Sequence, residues 1–370
     1  MFEAKTRLSI EAEKMLINDV PTYSGNPRVE GLLFNVRTVN ATFDDTLGKV
    51  DWWDDDGSHP ENDSAGYGSW DSPASAFANT DRFIAALPEY KAHGILGVNL
   101  NFQGGHPLMA KANIPQGRGS ANRRPNGHRD FYHNSGFRQH GDIDPDYAGR
   151  IGDVIEACDQ IGMVVVLQMF YFGQDTVFAT ESQLLAAVDS GVDFVCERGY
   201  RNVLIEIANE IMNGHYHHPI LKPARVDELI LRARRRGRVK HGREVLVSTS
   251  EAVMNDPNQW SEDQIDRVFR AADLVLLHGG DNVETGRVGD SSVVAEKIEH
   301  IRSRDWFRDS PKPIVFNESD GQQAFEAAVK RGVSFGLHSD NQQTMWPPKW
   351  GVWEPEHLWF FQTVKELTEA

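Results

Sequence analysis

Short runs rich in Val, Ile, Leu and Phe recur along the chain, each closing on polar residues and each followed, often after a long loop, by a stretch of helical periodicity. The apolar runs predict strands over 29–37, 95–102, 163–171, 202–208, 244–249, 274–278, 313–317 and 333–338. Several, such as the Val-Val-Val-Leu run at 164–167, are continuously apolar, as expected of parallel strands covered on both faces. The intervening periodic stretches predict helices near 77–93, 145–161, 182–198, 224–240, 261–271, 291–303, 321–331 and 355–369.

Strand and helix in strict alternation mean parallel β/α units, and eight of them close a barrel. The expectation is an α/β protein: a single (β/α)8 TIM barrel over 29–370 with long βα loops, preceded by a short N-terminal β-hairpin, residues 1–28, that caps it. Within that segment 7–23 reads as two short strands about a turn at Asn18-Asp19. A doubly wound open sheet would need a Gly-rich phosphate loop after an early strand, and none follows Arg37 or Phe102.

Composition narrows the picture. With 370 residues, 40% hydrophobic and 25% charged, the chain has the make-up of a globular protein. No apolar run reaches the roughly 20 residues of a membrane span, and Met1 to Leu16 lacks the apolar core of a signal peptide; localisation is left open. A formal charge of -16 argues against nucleic acid as partner, because phosphate backbones require concentrated Lys and Arg. The two cysteines, Cys158 and Cys196, fall on helices 2 and 3 without ligand-like spacing and read as buried free thiols.

Three βα loops are long, and at the C-terminal face of such a barrel long loops bind something. Loop 38–76 combines Trp52, Trp53 and Trp70 with Asp54, Asp55 and Asp56. Those acids do not match a calcium loop, since Trp52 stands at the first ligand position. Loop 103–144 is a basic island with His106, His128, His133, His140, Arg118, Arg123, Arg124, Arg129 and Arg138, reading as solvated or as a receptor for an acidic sugar. Loop 339–354 carries Trp346, Trp350 and Trp353 among prolines, so flat aromatic faces border the expected cleft.

The sharpest feature is a repeated ending. The run at 203–210, Val-Leu-Ile-Glu-Ile-Ala-Asn-Glu, delivers Asn209 and Glu210 at the end of strand 4, and Pro-Ile-Val-Phe-Asn-Glu at 313–318 delivers Glu318 at the end of strand 7. Two glutamates on roughly opposite strands face one another across the mouth. Glycosidic cleavage needs such a pair, one carboxylic acid to protonate the leaving oxygen and one carboxylate to attack, with a separation of about 5–5.5 Å for retention of configuration.

In these motifs the chain resembles the cellulase-like retaining hydrolases of glycoside hydrolase clan A, which place Asn-Glu after strand 4 and a nucleophilic Glu after strand 7. The resemblance covers the barrel and implies Glu210 as acid/base, Glu318 as nucleophile and Asn209 as a sugar contact. It further implies that Arg37, ending strand 1, keeps the nucleophile ionised, and that His278, ending strand 6, orients a carboxylate or a sugar hydroxyl. The chain departs from the pattern elsewhere. Gly279 and Gly280 follow His278 where a Tyr is usual, Tyr171 replaces a His after strand 3, and His338 stands where a Trp is expected, with Trp346 only later. Tyr171, His338 and Trp346 are therefore the candidates for altered substrate contacts, and cellulose is not assigned.

Two other readings stay open at this point. His215, His217 and His218, just after strand 4, suggest a metal-dependent barrel hydrolase or isomerase, although strand 1 ends Phe-Asn-Val-Arg and lacks the His-x-His pair of such enzymes. A noncatalytic carbohydrate-binding barrel would keep the aromatic loops without needing both glutamates. The carboxylate mechanism itself requires no cofactor and no metal, and its partner is a carbohydrate.

Overall fold

The computed structural model describes residues 2–43, 73–104, 108–109, 122–123, 129–130, 135–212, 214, 216–251, 261–279, 290–338, 345–346, 348–355 and 357–369. Among them a parallel sheet comprises β1 (Phe34–Arg37), β2 (Gly97–Asn101), β3 (Val164–Phe170), β4 (Val203–Ala208), β5 (Leu246–Ser248, then Ser250–Glu251), β6 (Val275–His278), β7 (Ile314–Ser319) and β8 (Ser334–Leu337). The hydrogen-bonded order runs from Leu246–Ser248 through β4, β3, β2, β1, β8, β7 and β6 to Ser250–Glu251. Both ends of that order are halves of β5, interrupted at Thr249. The sheet therefore closes on itself as a (β/α)8 barrel whose seam is this single-residue break.

The helices alternate with the strands: α1 (Pro73–Ala92), α2 (Pro145–Gln160), α3 (Glu181–Glu197), α4 (Val226–His241), α5 (Glu262–Ala271), α6 (Ser291–Ser303), α7 (Gln322–Val329) and α8 (Leu358–Thr368). Their starts are written locally. Thr180 with Gln183 and Ser261 with Gln264 form capping boxes at α3 and α5, and Asp144 caps α2 ahead of Pro145. The predicted elements agree with these to within a few residues at most ends. Cys158 on α2 and Cys196 on α3 are buried free thiols.

Side-chain alternation along the strands divides the core. Val165, Leu167, Ile205, Ile207, Phe316 and Phe335 point outward and pack with the helices in the main apolar cluster. A second cluster fills the barrel, made of Leu33, Leu96, Val164, Val166, Leu204, Leu274, Leu276 and Val315 together with Leu8 and Met15. Those last two come from the N-terminal segment, which plugs the barrel where the strands begin.

That segment is a three-stranded antiparallel sheet, Leu8–Glu11, Lys14–Ile17 and Val20–Pro21, one strand more than the expected hairpin. Asn18 and Asp19 do form a turn, with φ of 54° and 64°. The unforeseen turn, Ala12-Glu13, contains no Gly, Asn or Asp, yet Ala12 takes φ 50°. The sheet is tied to the barrel by the Lys5 and Thr6 amides, which donate to Asp159 at 2.8 and 2.9 Å, and by the Leu8 amide, which donates to the Arg201 carbonyl at 2.9 Å.

Candidate active site

Along the same inward-facing rows the chemistry changes with height. The lower positions are Leu and Val, while toward the strand ends stand Asn35 and Arg37 on β1, Asn99 and Asn101 on β2, Gln168 on β3, Glu206 on β4 and Asn317 on β7, all buried. Buried polar groups cost free energy unless paired, and this upper interior is a polar platform joined in part by hydrogen bonds. Arg37 donates from one terminal nitrogen to Asn209 Oδ1 at 2.7 Å and Gln168 Oε1 at 3.1 Å, and Asn317 Nδ2 donates to Glu206 Oε2 at 3.1 Å. Gly336 on β8 leaves room for the platform, because a Cβ there would lie 2.8 Å from the Asn317 carbonyl oxygen and collide with the Asn35 amide.

Glu318 stands on the platform. Arg37 Nε lies 2.8 Å from its Oε2, with the guanidinium fully buried and the carboxylate 16% exposed, so a cation screened from water stands against the Glu318 carboxyl. Burial disfavours the Arg37 charge, but the negative charges of Glu318 and Glu206 outweigh it and raise its pKa further. Two imidazoles also lie against it: His278 Nδ1 is 3.2 Å from Oε2, and His338 Nε2 is 3.3 Å from Oε1.

Glu210 faces it from β4. His278 Nδ1 is also 3.3 Å from Glu210 Oε1, so one ring nitrogen sits between the two carboxylates. Burial opposes the imidazolium, yet Glu318 and then Glu210 prevail and raise the His278 pKa above its ordinary 6.5. One carboxylate oxygen of Glu210, one of Glu318 and a nitrogen of His278 all lie within 4.8 Å of one another. The Glu210 backbone is left-handed, φ 48°, and its amide donates to Ser250 Oγ at 3.1 Å, just past the seam in β5. Asn209 is fixed on both sides, its amide donating to the Phe170 carbonyl at 2.9 Å and its carbonyl accepting from the Tyr216 hydroxyl at 2.6 Å.

The structure thus gathers Arg37, Asn209, Glu210, His278, Glu318 and His338 at one mouth. Tyr171 joins them: burial first, then the charges of Glu318 and Glu210, push its hydroxyl pKa up, and its ring packs on Phe172 with centroids 4.1 Å apart. Trp346 lies on a two-residue strand, Met345–Trp346, paired in parallel with Leu108–Met109. Trp52, Trp53, Trp70, Asp54 to Asp56, His215 and most of the basic island lie outside the described residues.

Other expectations are corrected. Trp350 is buried against α1, its ring 4.9 Å from that of Phe83 and its Nε1 donating to Asn79, and Trp353 donates to Glu89 on the same helix. Both belong to packing outside the barrel and not to a cleft wall. His217 and His218 have their amides on the buried carboxylate of Asp175 at 2.8 Å each, and His218 Nε2 lies 3.0 Å from the Phe178 carbonyl oxygen. Among the described residues neither imidazole belongs to a group of three potential metal ligands. From the basic island, Arg138 is paired with Asp142 and Asp144 at the start of α2.

Glu206, Gln168, Asn317 and Ser250 were not singled out from the sequence. Glu206 and Gln168 did carry a mark: each is a polar residue interrupting a strand that is apolar on both faces. Burial pushes the Glu206 carboxyl pKa up, against the attraction of Arg37 and His278.

No family model matches the chain, and no curated protein matches its sequence. Solved structures do match its fold. A β-mannanase from the blue mussel Mytilus edulis is 11% identical with a TM-score of 0.51, the alignment covering 99% of this chain and 97% of that one. For the β-1,4-D-mannanase from Cryptopygus antarcticus the values are 10% and 0.53, over 97% and 94%. For the β-glycosidase from the hyperthermophile Thermosphaera aggregans they are 10% and 0.52, over 91% and 96%. What this chain shares with all three is the barrel along nearly its whole length.

Proposed function

We propose that the chain is a retaining glycoside hydrolase acting on O-glycosidic bonds of an oligo- or polysaccharide, with Glu318 as nucleophile and Glu210 as general acid/base. The observation that carries this reading is the pair of strand-end glutamates facing one another with carboxylate oxygens within 4.8 Å, which supports the short separation of a retaining pair over the roughly 6.5–9.5 Å between the carboxyl groups of an inverting one. The solved structures sharing its fold include enzymes named for β-mannan and β-glycosides, which adds weight to the substrate class.

The roles follow from the surroundings. Arg37 keeps Glu318 ionised and aimed, so its oxygen attacks the anomeric carbon while the bond to the leaving oxygen breaks and that oxygen takes the proton of Glu210. Glu210, now a carboxylate, takes a proton from water, and the water oxygen displaces Glu318 from the same carbon. Asn209 spends its Oδ1 on Arg37 and so offers a sugar hydroxyl its amide N–H. Tyr171 and His338 flank the same carboxylates and contact the sugar beside the scissile bond. No cofactor enters these steps.

The test is a panel of aryl β-glycosides and β-linked polysaccharides with product stereochemistry read by NMR. Retention is expected, and Glu318→Gln and Glu210→Gln are each expected to lower kcat by about 10³-fold or more. Inversion, or turnover of either variant within a few-fold of wild type, overturns the reading.

A further inference from the structure

β6 and β7 keep one register from Val275 opposite Ile314 to Leu277 opposite Phe316, then slip, so that His278 stands opposite Glu318. Such an irregularity re-aims a side chain at the end of a strand, and this one brings the His278 ring to the carboxylates. At the slip the His278 carbonyl accepts from Nζ of Lys297 on α6 at 2.8 Å. The same ammonium lies 3.3 Å from Glu251 Oε1, and the side chains of Lys297 and Glu251 are 2% and 0% exposed.

A buried Lys–Glu pair is a poor way to gain stability, since desolvating two charges costs several kcal/mol per ion and apolar side chains of similar volume do as well or better. Its use here lies in what it touches. Glu251 belongs to the second half of β5, whose preceding residue, Ser250, receives the Glu210 amide at 3.1 Å. The seam of the barrel therefore sends one residue to Glu210 and, through Lys297, the next to His278.

We propose that Lys297 and Glu251 are a positioning pair that fixes the backbone of His278 so that its Nδ1 stays between Glu210 and Glu318. Among the described residues, the charged and titratable groups around that ring include Glu210 and Glu206 from β4, Glu318 from β7 and Arg37 from β1, with Lys297 and Glu251 behind the strand. Freed from Lys297, the end of β6 relaxes and the ring moves away from the carboxylates that favour its protonated form. The kinetic part of this inference rests on the glycosidase reading; the titration part does not.

The experiment compares the wild-type protein with Lys297→Met/Glu251→Gln, which removes one charge of each sign and leaves the net charge unchanged. The His278 ring is titrated by NMR, assigned by its loss in His278→Asn. The titration midpoint is expected to fall toward the ordinary value near 6.5. On a β-glycoside substrate, kcat is expected to drop about tenfold or more with KM within about twofold, and the pH profile to shift with the ring. A variant that loses only thermal stability, with the His278 titration and pH profile unmoved, overturns the proposal. If the double variant does not fold, Lys297→Met is titrated in its place; loss of the cation alone would raise the His278 midpoint, so a fall is required and a rise overturns the proposal. Active Glu318→Gln would defeat the glycosidase reading and leave the titration result standing, so the two failures are distinguishable.

Discussion

Glu210 presents its carboxylate from a backbone at φ 48°, where a side chain bearing a Cβ is strained, while its amide is held by Ser250. Left-handed conformation costs a non-glycine residue roughly 1–2 kcal/mol, and the surroundings enforce it here to turn the carboxylate toward Glu318. Replacing Glu210 by Gly and by Ala removes the carboxylate equally, so the two variants differ mainly in this strain. Glu210→Gly is expected to be more stable than Glu210→Ala by about 1 kcal/mol in urea unfolding. Equal stabilities would mean that the conformation carries no cost. Nothing in the order of residues announced the strain, because Asn209-Glu210 has no glycine to mark a special φ. The meeting of Arg37 and His278 with Glu318, by contrast, was expected from the family resemblance that their places at strand ends carry.

At the scale of elements, α3 and α4 are joined by a rack of ion pairs. Arg232 meets Asp189 at 2.8 Å, Arg236 meets Asp193 at 2.6 Å, Lys240 and His241 each meet Asp193 at 2.7 Å, and Arg225 meets Glu181 at 2.8 Å. Partial burial alone would raise the Asp193 pKa, but the bonds from Arg236, Lys240 and His241 outweigh it and hold the carboxyl well below its ordinary range. A depressed native pKa contributes stability above the unfolded value of about 3.9, and that contribution is lost as pH falls through the native one. Asp193→Asn is accordingly expected to destabilise the protein by about 1 kcal/mol at pH 7, a figure discounted for solvent screening. The gap should close as pH falls below about 4; a gap independent of pH would refute the electrostatic origin. Elements were the most legible level of this molecule. Strands buried on both faces are continuous apolar runs, and helices open with Thr180, Ser261 and Asp144 as caps, so both leave local marks. The turn at Ala12-Glu13 and the packing of Trp350 and Trp353 left none, since each is decided by what the segment docks against.

At the scale of the molecule, the barrel interior is apolar where the strands begin and polar where they end. Met15, wholly buried, reaches the lower layer from the N-terminal sheet. Met15→Ala opens a cavity there and is expected to cost about 2–4 kcal/mol in global unfolding while leaving kcat within about twofold, because no catalytic group is touched. A large fall in kcat at a temperature where the variant is folded would show that bottom and mouth are coupled.

The polarity gradient inside the barrel has a consequence for how such a protein changes over generations. The apolar rows that keep the chain folded and the residues proposed to choose its sugar occupy opposite poles. Replacements at Tyr171 or His338 draw little on the reserve of stability supplied by Leu8, Met15 and the lower rows. Selection, natural or in the laboratory, is therefore free to rewrite the substrate at one end while the other end guarantees that each rewritten sequence still folds.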